Sequence, residues 1–431
     1  MENKSGNRVK ELRNIRLMLA GIIVSKTGTM AFTFALAIYI LRTTGSAMGL
    51  AISIILYSLP KLIISPYAGV LADRIDRKLL VVGGDLISGL VVLLLLFQST
   101  VSITSLYAVI VVLSLVQTFF EIAFQAAQPD IVSDDGLFKL NSYAQSAMSA
   151  ADIIGPALGG IMLNFGIETI ILVNGLSFIM SGLSESFIDF TFNRKKVAKT
   201  EKPVKGSMRS EYKEAFQFIR SKKIIVYIIG LSLGINMLIG LGIRVPLPYL
   251  MNEILKMNSV TIGLIEAILS IGILVSSLIL GKRGPGPLYK STYLYACVIG
   301  LSVLFMGLPF AFGLTYPELT AAIILAVTHF TVGFALPSFT VPIITFEQQI
   351  IPENMRGRVF GLIGMLASIG MPLMVVISAF VMPIFSATSM LVFVGAGIVV
   401  LTSFIMSRKQ IRLTFKEVDA SSETSTEEIT S

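Results

Sequence analysis

Long apolar runs alternate with short polar breaks along almost the whole chain. The runs lie at about 15–41, 46–72, 79–98, 101–124, 137–164 and 166–190, and again at about 224–252, 258–281, 288–314, 317–346, 355–383 and 385–407. A helix needs roughly 20 mostly apolar residues to cross a hydrocarbon core, and each run supplies about that many. None alternates with the period of two expected of a barrel strand. Unpaired backbone groups are too costly in lipid, so every run must be helical. The pattern therefore predicts an all-α membrane protein with twelve transmembrane helices in two six-helix bundles. The bundles are expected at 1–190 and 224–407, joined by a cytoplasmic linker loop at 191–223 and followed by a disordered cytoplasmic tail at 408–431.

Composition agrees with a lipid environment. The chain is 54% hydrophobic and 14% charged, whereas a soluble domain is about 45–50% apolar and about 25% charged. A formal charge of +8 could suggest a nucleic-acid partner, but the basic residues sit between apolar runs, as membrane flanks do. Of the 34 Lys and Arg residues, Lys26, Lys61 and Arg244 lie well inside runs, away from their ends. With the N-terminus placed in the cytoplasm, only Arg42 and Lys256 lie on the opposite face. That bias predicts cytoplasmic termini and an even number of spans. The first run is too long for the apolar region of a signal peptide. A single cysteine, Cys297, allows no internal disulfide, and a single histidine, His329, allows no multi-histidine metal site.

Between the second and third runs stands Gly69-Val70-Leu71-Ala72-Asp73-Arg74-Ile75-Asp76-Arg77-Lys78. Gly69 lets a helix end approach a neighbour closely. Asp73 can approach the positive N-terminus of another helix. Arg74, Arg77 and Lys78 offer partners to carboxylates and anionic headgroups. Such a cluster can latch one conformation and release in another; the alternative is a purely topological basic loop. In the fifth run, Gly155-Pro156-Ala157-Leu158-Gly159-Gly160 combines small residues for tight helix contact with a proline that removes one backbone hydrogen bond. The stretches 129–156 and 346–372 share a polar or acidic turn, a small-residue helix and a Gly-Pro break, which points to a 6+6 repeat.

The Gly69–Lys78 segment resembles the signature loop of the major facilitator superfamily. Gly155-Pro156 with Gly159-Gly160 is similar to the antiporter motif of its exporter branches, although Ala151 stands where an earlier glycine is expected. Gly45-Ser46, Leu59-Pro60 and Asp85 add a likeness to the branch that holds bacterial macrolide exporters and the enterobactin exporter. The resemblance covers residues 12–407 and implies the major facilitator fold in a bacterial plasma membrane. It implies a monomeric secondary transporter with no cofactor, driven by the proton gradient. The loop after the eighth run keeps only Gly281-Lys282-Arg283 of the signature, and the fourth run carries Glu121 where many proton-coupled drug exporters have arginine.

Ionisable side chains inside a membrane are functional candidates by default. Lys26, Glu121 and Asp152 fall in the first, fourth and fifth runs, and the implied fold makes a Lys26 pair with Glu121 or Asp152 feasible. Glu185, Arg244, Glu266 and His329 are further candidates for a coupling or substrate site. Each could instead be a structural ion pair or a snorkelling group. Nineteen Met and 27 Phe residues suit an adaptable apolar pocket. The nearest approach to a phosphate-binding loop, Gly284 to Ser291, has Tyr289 where a glycine is required, which argues against ATP hydrolysis. No nucleophile–base set is recognisable. The expected function is proton-coupled export of an amphiphilic small molecule such as a drug, macrolide or siderophore. Import or facilitated passage through the same fold is the alternative, and a lipid flippase or membrane-embedded enzyme the more distant one.

Overall fold

A computed structural model describes residues 2–44, 47–98, 101–193, 208–284, 286–312, 316–382 and 384–415. Among these residues the secondary structure is helical throughout. Gly45-Ser46, most of the linker (194–207) and the end of the tail (416–431) lie outside the description. The helices are α1 (Glu2–Thr44), α2 (Ala47–Arg74), α3 (Arg77–Leu93), α4 (Ile103–Ile131), α5 (Asp134–Met162), α6 (Ile167–Ser186) and α7 (Met208–Ser221). They continue with α8 (Lys223–Gly242), α9 (Pro246–Tyr249), α10 (Ser259–Arg283), α11 (Leu288–Ala311), α12 (Glu318–Ile350), α13 (Arg356–Val381) and α14 (Ala387–Met406). Eleven helices among the described residues are long and apolar enough to cross a bilayer. α13, where the sequence places the eleventh of twelve spans, is 26 residues long, which is length enough to cross.

The chain forms two compact units, 1–216 with 348–365, and 217–347 with 366–431. In the first, α1 packs along α5 and α6, α3 along α4 and α6, and α2 along α4. Met18, Ala68, Ala72, Val81, Ala127 and Leu140 fill one apolar cluster between these helices. In lipid there is no hydrophobic force between helices, so close van der Waals approach must hold them. Gly155 and Gly159 provide it: a Cβ on Gly159 would collide with the Ala31 carbonyl of α1, and one on Gly155 with Met30. Gly160 is different, since a Cβ there would meet Phe34 at an ordinary 3.6 Å. α5 runs unbroken through Pro156.

In the second unit α14 packs on α8 and α11. Ser276 of α10 and Ser338 of α12 hydrogen-bond at 2.9 Å. Two segments depart from the sequence reading. The linker, expected as loop, contains α7, an amphipathic helix that buries Glu211 and Ala215. The tail, expected to be disordered from Arg408, is helical over 409–415. Ile411 and Phe415 are buried there, and Phe415 meets the Tyr289 ring edge-on at 5.8 Å. Both segments are too polar on average to read as core, but each carries a few apolar side chains at helical spacing, enough to anchor one face.

The contact geometry of α5 gives a direct expectation. Gly159→Ala should destabilise the purified protein by about 1–3 kcal/mol, as overpacking does, while Gly160→Ala should stay within about 0.5 kcal/mol. Thermal unfolding in detergent measures both, and equal midpoints would remove the close-packing account.

Candidate functional site

α2 ends at Arg74 and α3 begins at Arg77, with Asp76 capping α3 by accepting from the Lys78 amide at 2.8 Å. This tight corner carries Asp73 to the first turn of α13. A helix N-terminus has unsatisfied N–H groups and a partial positive charge. Asp73 meets both: Gly357 N–H donates to Oδ1 at 2.7 Å, and Arg358 N–H to Oδ2 at 3.0 Å. The Arg358 Nε adds a third bond to Oδ2 at 3.2 Å. Such an approach requires glycine on both sides. A Cβ on Gly69 would lie 2.5 Å from the Gly357 carbonyl oxygen, and one on Gly357 would collide with the Gly69 carbonyl.

Arg77 extends the network. Its guanidinium lies 3.7 Å from Asp73 Oδ1 and donates to Asp130 Oδ2 at 2.7 Å. It also donates to the carbonyls of Ala126 at 3.0 Å and Glu353 at 2.6 Å. Arg356 donates to the other Asp130 oxygen at 3.1 Å. The side chains of Asp73, Arg77, Asp130 and Arg358 are 4%, 9%, 6% and 9% exposed. α7 closes over this cluster: Arg74 pairs with Glu211 at 2.5 Å, and Arg358 with Glu214 at 3.2 Å. Burial, and next the Asp73 charge, push the Tyr212 phenol of α7 above its ordinary range. Lys78 stands apart, with Nζ 3.5 Å from the Ile188 carbonyl.

A polar cluster continues along the same segment. Asn141 of α5 donates to Gln348 Oε1 at 2.7 Å, and Gln348 donates to Gln128 Oε1 at 2.5 Å and to the Gln125 carbonyl at 3.0 Å. Gln348, Arg356 and Arg358 thus fix the 348–365 segment to α2, α4 and α5.

The remaining candidates are dispersed. Glu121 of α4 forms its ion pair with Lys61 of α2, not with Lys26. Lys26 of α1 instead acts electrostatically on Asp152 of α5, which is exposed at the surface. Glu185 is buried at the end of α6. In the second unit, Arg244 is exposed in the turn between α8 and α9. Glu266 is exposed on α10 and acts electrostatically on the buried His329 of α12, whose Nδ1 lies 2.7 Å from the Leu325 carbonyl. A carbonyl only accepts, so the Nδ1 carries hydrogen. Between α11 and α12 lies an apolar groove of about 540 Å³, with Ser302, Thr328 and Thr331 as its polar positions.

Asp130, Arg356, Arg358, Glu211 and Glu214 were not singled out by sequence. The partners of Asp130 lie 53 residues away at Arg77 and 226 away at Arg356, and those of Asp73 up to 285 away at Arg358, so no local pattern marks them.

The chain is 26% identical over 365 residues to macrolide efflux protein A of Streptococcus pyogenes, covering 84% of this chain and 87% of that protein. It is 25% identical over 334 residues to macrolide efflux protein A of Enterococcus faecalis, covering 76% and 99%. Among solved structures, a bacterial homologue of the iron transporter ferroportin in an outward-facing state superposes with a TM-score of 0.72 at 17% identity, over 91% of this chain and 98% of that one. The family model of the Major Facilitator Superfamily matches residues 18–375, and with the multi-span helical fold and the charged corner between α2 and α3 this makes the chain a transporter belonging to that superfamily.

Proposed function

We propose that this transporter exports an amphiphilic small molecule of macrolide-like character from the bacterial cytoplasm, in exchange for protons. The observation that carries the reading is the match to macrolide efflux proteins over most of their own lengths. Transport proceeds by alternating access, opening the substrate path to one face of the membrane at a time. Both termini and the α2–α3 corner face the cytoplasm, since 29 of the 34 Lys and Arg residues then lie on the cytoplasmic side.

The buried network of Asp73, Arg77, Asp130, Arg356 and Arg358 acts as the latch. It is a discrete, charge-paired arrangement around a helix start, which is the kind of element a two-state carrier can make and break. Breaking it strands charges in a place water does not reach, so its closed form is held until another contact compensates. Coupling runs through carboxylates in the spans, with Asp152 under the influence of Lys26 and Glu121 under that of Lys61. A carboxylate whose cation approaches and withdraws binds its proton in one state and releases it in the other.

Everted vesicles given a fluorescent macrolide from outside test direction: uptake that a pH gradient drives and an uncoupler abolishes is the expected result, and gradient-independent equilibration would make the protein a facilitator. In the same assay Asp73→Asn should insert normally but transport about tenfold slower or worse. Losing one partner of a buried pair costs about 3–5 kcal/mol, and about 1.4 kcal/mol already corresponds to tenfold. Glu214→Gln, at a site 59% exposed, should stay within about twofold, because exposed pairs contribute about 0–1 kcal/mol. Neutralising Glu121 and Asp152 singly should abolish gradient-driven accumulation in at least one variant; wild-type pH dependence in both would make these charges structural.

A further inference from the structure

Two buried carboxylates of the first unit stand outside the latch and outside the ion pairs among the described residues. Asp85 lies within α3 and Glu185 on the last turn of α6, and these helices pack along each other. Each residue is 1% exposed, and the Asp85 charge acts on Glu185. Glu185 reaches α1 at Gly21, where a Cβ would lie 2.9 Å from Ser181 Oγ and 3.5 Å from Glu185 Oε1. Ser181, itself 1% exposed, and Gln117 of α4 are turned toward Asp85 without closing a hydrogen bond to it. Gln117 instead donates to Ser88 at 3.0 Å. Both Asp85 oxygens, Glu185 Oε2 and the Ser181 hydroxyl are therefore buried without a hydrogen-bond partner.

Arg8, Lys10 and Arg16 of α1 and Lys139 of α5 are exposed, and five further bases on the surrounding helices are engaged elsewhere. Lys26 of α1 acts on Asp152 of α5, and Lys61 of α2 holds Glu121 of α4. Arg77 of α3 is taken by Asp73 and Asp130. Arg13 of α1 and Lys78 of α3 reach the carbonyls of Phe187 and Ile188, just past the end of α6. Isolated buried charge is very costly, and a carboxylate in that position neutralises instead. Two carboxylates sharing a site cannot both ionise cheaply.

We propose that Asp85 and Glu185 form one proton-binding site inside the first unit, with a single proton held between the two carboxyl groups. The protonated acid supplies the O–H donor that the other carboxylate lacks. Ser181 completes the shell by donating its hydroxyl. The titration then belongs to the pair and not to either residue. Use of this proton in coupling rests on the export reading; the existence of the site does not.

Infrared spectroscopy of the purified protein in lipid, without substrate or gradient, tests it separately from transport. At neutral pH the wild type should show a protonated-carboxyl C=O band that shifts in heavy water. The isosteric double variant Asp85→Asn/Glu185→Gln should lose that band, and each single variant should shift it. Absence of the band from the wild type, or its persistence unchanged in the variants, overturns the proposal. Replacing choline with sodium at fixed pH should leave the band intact; its loss would assign the site to a metal cation and overturn the proton. Should the double variant not fold, the wild-type and single-variant spectra still decide.

Discussion

A charge removed from water must find its counterpart within a few ångströms, and much of the first unit is arranged around that requirement. Asp73, Arg77, Asp130, Arg356 and Arg358 are all nearly buried, and together they leave few of their donors and acceptors idle. Buried ion pairs of this kind add little net stability over apolar packing, because desolvation offsets the attraction. Their value lies in discreteness. Removing one member strands the others, so the arrangement is either complete or strongly disfavoured. A carrier that must occupy distinct states, and avoid intermediate leaky ones, gains from contacts with that property.

Small residues play the complementary part. Where lipid surrounds a protein, helices attract one another chiefly through close approach, and Gly155, Gly159, Gly69 and Gly357 each sit where a side chain would force two backbones apart. The charged corner depends on this. Only because Gly69 and Gly357 bring α2 against the start of α13 do the Asp73 oxygens come within 2.7 and 3.0 Å of main-chain amides.

Much of this was legible in sequence, for physical reasons. Spans announce themselves because lipid tolerates neither charge nor unpaired backbone over about 20 residues. Asp73, Arg74 and Arg77 stood out because they are crowded into one short loop. Their partners did not, since a lone Asp130 or an Arg356-Gly357-Arg358 triplet has no local peculiarity; only the fold brings Gly357 and Arg358 to Asp73, and Asp130 to Arg77 and Arg356. Lys61 was visible as a charge in a span, yet its pairing with Glu121 across 60 residues was not. α7 and the 409–415 turn were read as loop and tail because a handful of anchoring side chains, Ala215, Ile411 and Phe415 among them, is too sparse a signal. Asp85 registered as a family marker, while its isolation from any cation is a property of three-dimensional packing alone.

The grip of Asp73 on α13 falls largely on amide hydrogens that every residue except proline possesses. What the carboxylate recognises is the beginning of a helix, whatever side chains decorate it. The two ends of the contact are therefore free to drift at different rates. Position 358 can change identity and still present its N–H, position 357 is barred from acquiring a side chain by the Gly69 carbonyl, and position 73 has no substitute that is both anionic and as short. Related carriers can thus keep the same clasp while one of its halves becomes unrecognisable in sequence.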